Sequence, residues 1–378
     1  MSTQGVIDHS MSVNERVFPL WLNGPGRPLT RFGEIPRFRE GLYELASRTY
    51  AWLVPNGSWG ETNIGLIDCG GQSVLVDTCW NHRYTQEMLD AAASILIQSP
   101  VEHVVNTHAD GDHCWGNQLF EGRQIIATQA CIKQMYHHTP KLLSTLGAVG
   151  GALAHLPHCS LSRFGHYMHS MFAPYDFSGV RIIEPNAGFS GESVLNVNGV
   201  EIVLLEVGPG HTNGDAIVYI PSRRVVYAAD ILFVGSTPVM WAGPVENITR
   251  ALKRLMALDV DVIVPGHGPL AERVDVQKVI DYWDFIQEQL HPRMRHGMTA
   301  EQAARDVAMG DAFQKSQFMT WDSPERIMTN TYTLYRQWGA PLLNLPDKIG
   351  SMDLMRRQAG LAFELSTASP AIMRNYRR

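Results

Sequence analysis

Apolar residues between positions 49 and 128 occur in short runs that Gly, Asn and Ser separate. This pattern is typical of consecutive strands joined by tight turns. The runs that predict strands are TYAWLVP, TNIGLIDC, SVLVDT, VEHVVNTH and QIIAT. Helical spacing appears instead in HRYTQEMLDAAASILI, where Tyr84, Met88 and Ala92 fall on one face. QACIKQMYHH is also expected to be helical.

A second block with the same rhythm begins near Ser193. SVLNVNGVEIVLLEVG predicts two strands joined at Asn198-Gly199, because this dipeptide favours the tight turn of a hairpin. DAIVYIP, RVVYAAD and VDVIVPGHG predict three further strands, and NITRALKRLMALD predicts a helix before the last of them. A unit of strands followed by a helix therefore occurs once in each half of the chain.

The last third of the chain is predicted to be helical. Thr299 opens a capping-box pattern at the start of one helix. Ser323 is the expected cap of another helix, with Pro324 at its first position, and a final helix is expected over 350–366. Residues 271–378 are thus predicted to form a helical extension that packs on the main domain or mediates self-association.

Two segments do not fit this rhythm. Residues 1–44 contain several prolines that break any long helix, so we expect an arm that lies on the main domain. Residues 139–187 show no clear periodicity and are rich in His, Met, Phe and Tyr. Because a long insertion in a compact domain is more often a binding loop or lid than a connector, we expect it to cover a pocket. The domain that carries it is predicted to span residues 45–270.

The composition restricts the class of protein. The 378 residues are 45% hydrophobic and 18% charged, which is typical of a globular protein. The net charge of −6, from 31 basic and 37 acidic residues, gives no electrostatic footprint for nucleic acid. No apolar run approaches the roughly 18 residues of a membrane span, and no signal peptide is recognisable. Five cysteines without a C-x-x-C pair favour free thiols and a cytoplasmic location.

Metal-capable side chains cluster at the predicted strand ends. The stretch NTHADGDHCWGN places four of them in six positions, and GPGHTNGD, YAAD and PGHG each add one more. The seven donors are His108, Asp110, Asp112, His113, His211, Asp230 and His267. Imidazole suits Zn, Fe, Mn or Ni, and carboxylates shift the preference towards harder ions. Seven donors can fill two sites, and a metal pair about 3.5–4 Å apart holds a hydroxide that is nucleophilic near neutral pH.

The ordered set H-x-D-x-D-H, G-H-T, an Asp after an apolar strand, and P-G-H-G resembles the metallo-β-lactamase-fold superfamily over residues 45–270. The resemblance implies an α/β (α+β) fold, the αββα metallo-β-lactamase sandwich. In this fold two sheets lie face to face, helices lie outside them, and the metals bind at one edge. In this chain the sandwich would be followed by the C-terminal helical extension.

The resemblance also implies a role for each donor. The expected ligands are His108, Asp110 and His211 at the first metal, and Asp112, His113 and His267 at the second. Asp230 would bridge the two metals. Asp77, which follows the apolar run SVLV, matches an aspartate that supports the site through hydrogen bonds to the ligands.

Asp110 departs from the superfamily pattern, since most of its hydrolases have histidine at this position. In the flavodiiron branch a glutamate occupies the position and the metals are iron, but aspartate is one methylene shorter. Asp110 either ligates, which favours Fe or Mn, or fails to reach and leaves one metal at Asp112, His113 and His267. A third alternative is that Asp110 acts as a general base beside a single metal.

The main functional hypothesis is a metal-dependent hydrolase that uses a metal-bound hydroxide. Its substrate would be a small-molecule ester, lactone, thioester, amide or halogenated aromatic. One or two zinc ions are the expected cofactor, and Asp112 and Asp110 are the expected catalytic carboxylates. Trp80, Trp115 and Trp241 are candidates for the substrate-binding wall, since pockets are mostly apolar and aromatic.

Two other hypotheses remain open from the residues alone. The carboxylate at Asp110 suits a non-haem iron oxidoreductase that uses oxygen, with Fe or Mn in place of Zn. A non-catalytic member that binds a ligand in the same pocket is the third reading. No hypothesis includes a nucleic-acid or membrane partner, and each allows a homo-oligomer through the C-terminal helices.

Overall fold

The computed structural model describes residues 18–157, 159–340, 342 and 347–368. The predicted arm over 1–44 therefore falls partly outside the described residues, which exclude its segment 1–17. In the described part of the arm, Leu20–Asn23 forms an edge strand of the first sheet. The arm thus contributes to the main sheet.

The first sheet contains eight strands, arranged in chain order. They are β1 (Leu20–Asn23), β2 (Gly41–Ala46), β3 (Thr49–Leu53), β4 (Ile64–Asp68), β5 (Ser73–Val76), β6 (Val101–Val105), β7 (Gln124–Thr128) and β8 (Ala187–Phe189). Strands β1 to β5 pair antiparallel, and β5 to β8 pair parallel. Because β5 and β6 run parallel, their carboxyl ends meet at one edge of the sheet.

The second sheet contains five strands. They are β9 (Glu192–Val197), β10 (Val200–Glu206), β11 (Ala216–Ile220), β12 (Val225–Phe233) and β13 (Val262–His267). Its spatial order is the reverse of the chain order, and only β12 and β13 pair in parallel. The predicted hairpin at Asn198-Gly199 is confirmed, with both residues at positive φ as the tight turn requires.

The two sheets pack face to face. Leu53, Ile67 and Val76 of the first sheet share one buried cluster with Val218 and Val264 of the second. Gly65 permits the close approach, because a Cβ at this position would overlap the ring of Tyr227. The central strands are buried on both faces, so alternate residues of β3 divide between this cluster (Ala51, Leu53) and the helix-facing cluster (Tyr50, Trp52), as expected for a covered sandwich.

Helices cover the outer faces of both sheets and form the end of the chain. They are α1 (His82–Ala91), α2 (Ala93–Leu96), α3 (Gly111–Cys114), α4 (Gln129–Gln134), α5 (Pro140–Ala154), α6 (Ser160–Phe172), α7 (Val245–Ala257), α8 (Arg273–Arg295), α9 (Ala300–Met309), α10 (Asp311–Gln314), α11 (Ile327–Gln337) and α12 (Asp347–Ala362). Met88 of α1 and Leu252 of α7 pack with strand residues in the larger core cluster. The αββα architecture with a helical C-terminal part is therefore confirmed. No helix in the described ranges is long and apolar enough to cross a membrane.

The expectation that residues 139–187 lack a periodic pattern is wrong. They contain the helical hairpin α5–α6, and Phe164, Met168 and Met171 lie on the buried face of α6 at helical spacing. The glycines of α5 hide this structure from propensity arguments. Their role is close packing, because a Cβ at Gly150 would lie 2.9 Å from the backbone oxygen of Gly165.

The C-terminal helices follow the sequence predictions in part. The capping box at Thr299 is confirmed. Ser323 is not a helix cap: its φ is +58°, its side chain makes no capping bond, and α11 begins at Ile327 after a short 3-10 turn. Its neighbour Asp322 pairs through its backbone with Thr237, and this tertiary contact outweighs the local capping signal. The last helix is α12, so the expected range 350–366 is displaced towards the C-terminus.

A buried polar chain joins the insertion to the C-terminal helices. The Tyr167 hydroxyl donates to Glu325 Oε1 over 3.1 Å, and Gln358 Nε2 donates to the Tyr167 oxygen over 2.9 Å. Thr329 in turn donates to Gln358. Burial raises the pKa of Glu325 to about 7, so this carboxyl binds a proton more tightly in the folded chain than in the unfolded chain.

We predict that Glu325→Gln removes a pH-dependent loss of stability. Because the pKa of Glu325 is higher in the folded chain than its ordinary value of 4.5, the protonated carboxyl stabilises the fold fully below pH 4.5. This contribution is lost as the pH rises towards 7. The wild type should lose on the order of 3 kcal/mol more than the variant across this interval. Urea unfolding at pH 5 and pH 8 measures the difference, with Glu201→Gln, an exposed carboxylate, as control. Parallel pH dependence in wild type and Glu325→Gln would contradict the prediction.

Candidate metal centre

Asp77 anchors the first group of donors at the end of β5. Its Oδ1 accepts from the Thr107 backbone over 2.7 Å, and its Oδ2 accepts from the Thr107 hydroxyl over 2.7 Å. The same Oδ2 lies 2.9 Å from His113 Nδ1. Burial raises the pKa of Asp77, against the opposing effect of His113. Asp77 also has a positive φ of 64°, an unusual conformation for this residue type that the three hydrogen bonds hold in place.

The segment after β6 carries four of the seven donors. His108 follows Thr107, whose hydroxyl oxygen lies 2.9 Å from His108 Nδ1. Asp110 precedes the short helix α3, which contains Asp112 and His113. A Cβ at Gly111 would overlap the ring of Trp115, so the helix can form here only with glycine.

The other three donors come from the second sheet. His211 lies in the loop after β10, and its Nδ1 is 2.8 Å from the Val239 carbonyl. His267 ends β13, and its Nδ1 is 3.0 Å from the Glu61 carbonyl. Asp230 lies within β12, where the parallel neighbour β13 passes so close that a Cβ at Gly266 would overlap Asp230 Oδ1.

Asp230 lies at the meeting point of the four histidines. Its Oδ1 is 3.2 Å from His113 Nε2. Its Oδ2 is 3.3 Å from the Nε2 atoms of both His211 and His267 and 3.8 Å from that of His108. These charges outweigh burial and hold the pKa of Asp230 well below its usual range.

Six of the seven donors fall into two separate groups of three. Ligand atoms within 4.8 Å of one another occur in the set His108, Asp110 and His211 and in the set Asp112, His113 and His267. We call these the first set and the second set. His108, His113 and Asp230 form a further group that links the two. The structure therefore brings together all seven residues that the sequence singled out.

The donor set fits metal ions. The buried Nε2 atoms of His108 and His113 and Oδ1 of Asp230 have no hydrogen-bond partner among the described residues. Unpaired buried polar atoms are costly, and here they belong to three side chains that converge on one point. Cys114 belongs to none of these groups, and its thiol donates to the Ala109 carbonyl over 3.6 Å.

Asp110 reaches the first set despite its shorter side chain. Its Oδ2 lies 3.2 Å from His211 Nε2. Burial alone would raise the pKa of Asp110, but the bond to His211 and the neighbouring histidines hold it well below its usual range. The geometry therefore disfavours the outcome in which Asp110 falls short. Its side chain is 25% exposed and that of Asp112 13%, so the centre is accessible on the carboxylate side.

The predicted tryptophan wall is only partly supported. Trp115 is fully buried beneath Gly111 and contacts Phe177, so its assignment to the substrate wall is wrong and it belongs to the core. Trp80 packs in an aromatic cluster with Phe172 and Tyr175. Trp241 is half-buried beside His211, whose carbonyl accepts from the Trp241 backbone, and its role as a substrate contact stays a prediction.

Sequence reasoning missed several residues that hold the donors. The Thr62 hydroxyl donates to Asp112 Oδ2 over 2.9 Å. Glu61 and Val239 act through backbone carbonyls, which carry no side-chain signal. Thr107 alone had a recognisable signal, because it precedes His108 at the end of a predicted strand.

Comparison with known proteins identifies the family of this chain. The model of the metallo-beta-lactamase superfamily matches residues 57–267. The alpha subunit of 2,4-dinitroanisole O-demethylase from Nocardioides sp. (strain JS1661) is 32% identical over 218 residues, which are 56% of this chain and 54% of that protein. The beta-lactamase-like protein 2 homolog of Caenorhabditis elegans is 23% identical over 58% of this chain and 60% of its own length. The chain thus spans little more than half the length of these relatives.

Solved structures share the fold. The sec-alkylsulfatase Pisa1 from Pseudomonas sp. matches with a TM-score of 0.59 at 16% identity, over 82% of this chain and 52% of its own. A metallo-beta-lactamase family protein from Thermus thermophilus matches with a TM-score of 0.51 at 18% identity, over 74% of this chain and 89% of its own. At these identities the likeness concerns the fold alone.

We predict that Gly266→Ala impairs metal binding, and circular dichroism with thermal unfolding would check that the fold is retained. The added Cβ would overlap Asp230 Oδ1 and lie 2.7 Å from the backbone carbon of Ala229, so the Asp230 carboxylate must move away from the four imidazoles. This should lower the affinity for Zn²⁺ about tenfold or more. Equilibrium dialysis followed by elemental analysis measures the effect. Gly360→Ala on α12 is the control, since its Cβ would meet the flexible end of the Arg305 side chain. If Gly266→Ala bound Zn²⁺ with wild-type affinity, the position of the Asp230 carboxylate beside Gly266 would not be required for metal binding.

Proposed function

The chain belongs to the metallo-beta-lactamase superfamily, and on that premise we propose that it is a metal-dependent hydrolase of a small-molecule substrate. The observation that supports this most strongly is the position of Asp230 within 3.2–3.8 Å of four imidazole Nε2 atoms, between two donor sets. This geometry suits two ions that share one carboxylate. Bound ions would lower the pKa of a coordinated water and polarise the scissile bond.

We propose that Asp112 orients and deprotonates the attacking water. The Thr62 hydroxyl donates a hydrogen bond to Asp112 Oδ2. The other carboxylate oxygen, Oδ1, is then the one that accepts the proton. Asp110 lies on the same accessible side and completes the first set. The Asp77 carboxylate holds His113 through Nδ1, so its Nε2 stays directed at the centre.

The proposed substrate has a bond from carbon to an oxygen leaving group, as in an ester or an electron-poor aryl ether. Hydrolysis breaks that bond: the water oxygen bonds to the carbon, and the leaving oxygen takes up a proton. An ester then gives an acid and an alcohol, and an aryl ether gives a phenol and an alcohol. The name of the Nocardioides relative, an O-demethylase subunit for 2,4-dinitroanisole, supports an aryl ether among the candidates. Zinc is the proposed metal, with Fe or Mn as alternatives because Asp110 enriches the site in carboxylate.

A second candidate is a non-haem iron oxidoreductase that uses oxygen. Asp110 favours it, since the seven donors then include three carboxylates beside four imidazoles. The two candidates differ in the source of the oxygen atom that enters the product. Hydrolysis takes it from water, whereas an oxygenase takes it from O₂ and requires electrons.

We predict that the product oxygen comes from water. The metal-loaded protein would be incubated with 4-nitrophenyl acetate and with 2,4-dinitroanisole in H₂¹⁸O, and the products examined by mass spectrometry. Incorporation of ¹⁸O without oxygen consumption is expected, and Asp112→Asn should lower kcat/KM by on the order of 10²-fold. If turnover consumed O₂ and the products contained no ¹⁸O from the water, the hydrolase proposal would be overturned in favour of the second candidate.

We also predict that Asp110→Ala lowers the metal content from two ions per chain towards one, whereas Asp110→His keeps two. Alanine removes a donor from the first set, and histidine replaces it with the donor usual in the superfamily's hydrolases. Elemental analysis of proteins reconstituted with Zn²⁺ gives the metal content. Equal content in wild type and Asp110→Ala would show that metal binding does not require Asp110 as a ligand.

A further inference from the structure

Residues 58–62, which we call the clamp turn, hold two donors of the second set. The Glu61 carbonyl accepts from His267 Nδ1 over 3.0 Å, and the Thr62 hydroxyl donates to Asp112 Oδ2 over 2.9 Å. Thr62 also forms a β-bridge with His267. One short turn therefore sets the orientation of both an imidazole and a carboxylate in the same set.

The Glu61 side chain closes this turn. Its Oε2 accepts from the Ser58 backbone N–H over 2.9 Å, while the Glu61 N–H donates to the Ser58 carbonyl over 3.0 Å. Glu61 is fully buried, and its Oε1 has no partner among the described residues. A buried carboxyl is costly, and this one fixes the turn through its bond to Ser58.

The insertion braces the clamp turn from the outside. The Tyr175 hydroxyl donates to the Trp59 carbonyl over 2.8 Å. The Trp59 ring meets Tyr167 and Phe172 of α6 edge to face, with centroids 6.1 and 5.9 Å apart. Gly60, at a φ of +70°, has no room for a Cβ against Tyr175. The aromatic face of the insertion therefore presses directly on the turn.

A different segment braces the first set. The carbonyl of Val239 fixes His211 Nδ1, and helix α11 of the C-terminal extension holds the backbone around Val239. Asn330 donates to the Pro238 carbonyl over 2.9 Å and accepts from the Met240 N–H over 2.9 Å. Thr333, one turn later on α11, donates to the Met240 carbonyl over 2.8 Å.

We propose that the insertion and helix α11 each position a different donor set. The insertion positions the second set through the clamp turn, and α11 positions His211 of the first set. Glu61, Tyr175, Asn330 and Thr333 are then positioning residues that act through metal ligands. This inference rests on the proposed metal chemistry. It assigns the insertion a function beyond covering the pocket. A ligand that displaces the aromatic face of the insertion would lower the metal affinity of the second set more than that of the first set.

Two near-isosteric hydroxyl deletions test the division. Tyr175→Phe removes only the bond to the Trp59 carbonyl, and Thr333→Val removes only the bond to Met240. Metal-free full-length protein would be titrated with Zn²⁺ against a chromophoric chelator, which resolves two dissociation constants, and Co²⁺ absorption would report each set separately. Tyr175→Phe should weaken binding to the second set about fivefold and leave the first unchanged, and Thr333→Val should do the reverse.

Two substitutions of Glu61 test the same division with a larger expected effect, and the conservative one should restore metal binding. Glu61→Ala should weaken the second set by about 10–100-fold, whereas Glu61→Gln, which keeps an acceptor oxygen for Ser58, should stay near the wild type. Asn330→Ala should act on the first set. Variants that weaken both sets equally, or neither, would overturn the division. A wild type that binds two Zn²⁺ without the crossed pattern refutes this inference alone, and a wild type that binds none refutes the proposed function as well.

Discussion

The hydrogen bonds at the Nδ1 atoms of the four histidines are the constraint on which the centre depends. His211 and His267 face backbone carbonyls, which can only accept, so their Nδ1 atoms carry hydrogen. Thr107 gives its hydroxyl proton to Asp77, so its oxygen accepts from His108. All four Nε2 atoms point towards Asp230. Once a cation displaces any proton on Nε2, each imidazole presents a lone pair there. A site prepared in this way binds cations without any change of tautomer.

The partners that impose this arrangement come from distant parts of the chain. Asp77 ends a strand of the first sheet, Glu61 lies in a turn between two of its strands, and Val239 follows a strand of the second sheet. The sandwich brings these segments to one edge, because β5, β6, β12 and β13 all end there. The insertion and the C-terminal helices contact each other through Tyr167, Glu325 and Gln358. Each also contacts a loop that holds a metal-site histidine, which explains how segments outside the sandwich reach its chemistry.

The structure brings together the seven residues that the sequence singled out, because each lies near a strand end with a recognisable apolar run. The same reasoning failed where tertiary packing decides the structure. Residues 139–187 showed no clear periodicity in the sequence, yet they form the helices α5 and α6, which pack closely where Gly150 meets Gly165. Ser323 had a capping signal that a backbone pairing overrides. Carbonyl partners such as those of Glu61 and Val239 leave no trace in the residue types, so the arrangement around the donors could be seen only in three dimensions.

Two ions that share the Asp230 carboxylate would explain why four prepared imidazoles converge on it. Crystals of protein purified without added metal, with diffraction data collected on both sides of the absorption edge of the bound element, would locate such ions. We expect two anomalous peaks about 3.5–4 Å apart, one beside His108, Asp110 and His211 and the other beside Asp112, His113 and His267. A single peak remote from Asp230, or no peak at the centre after reconstitution with Zn²⁺, would contradict the shared carboxylate.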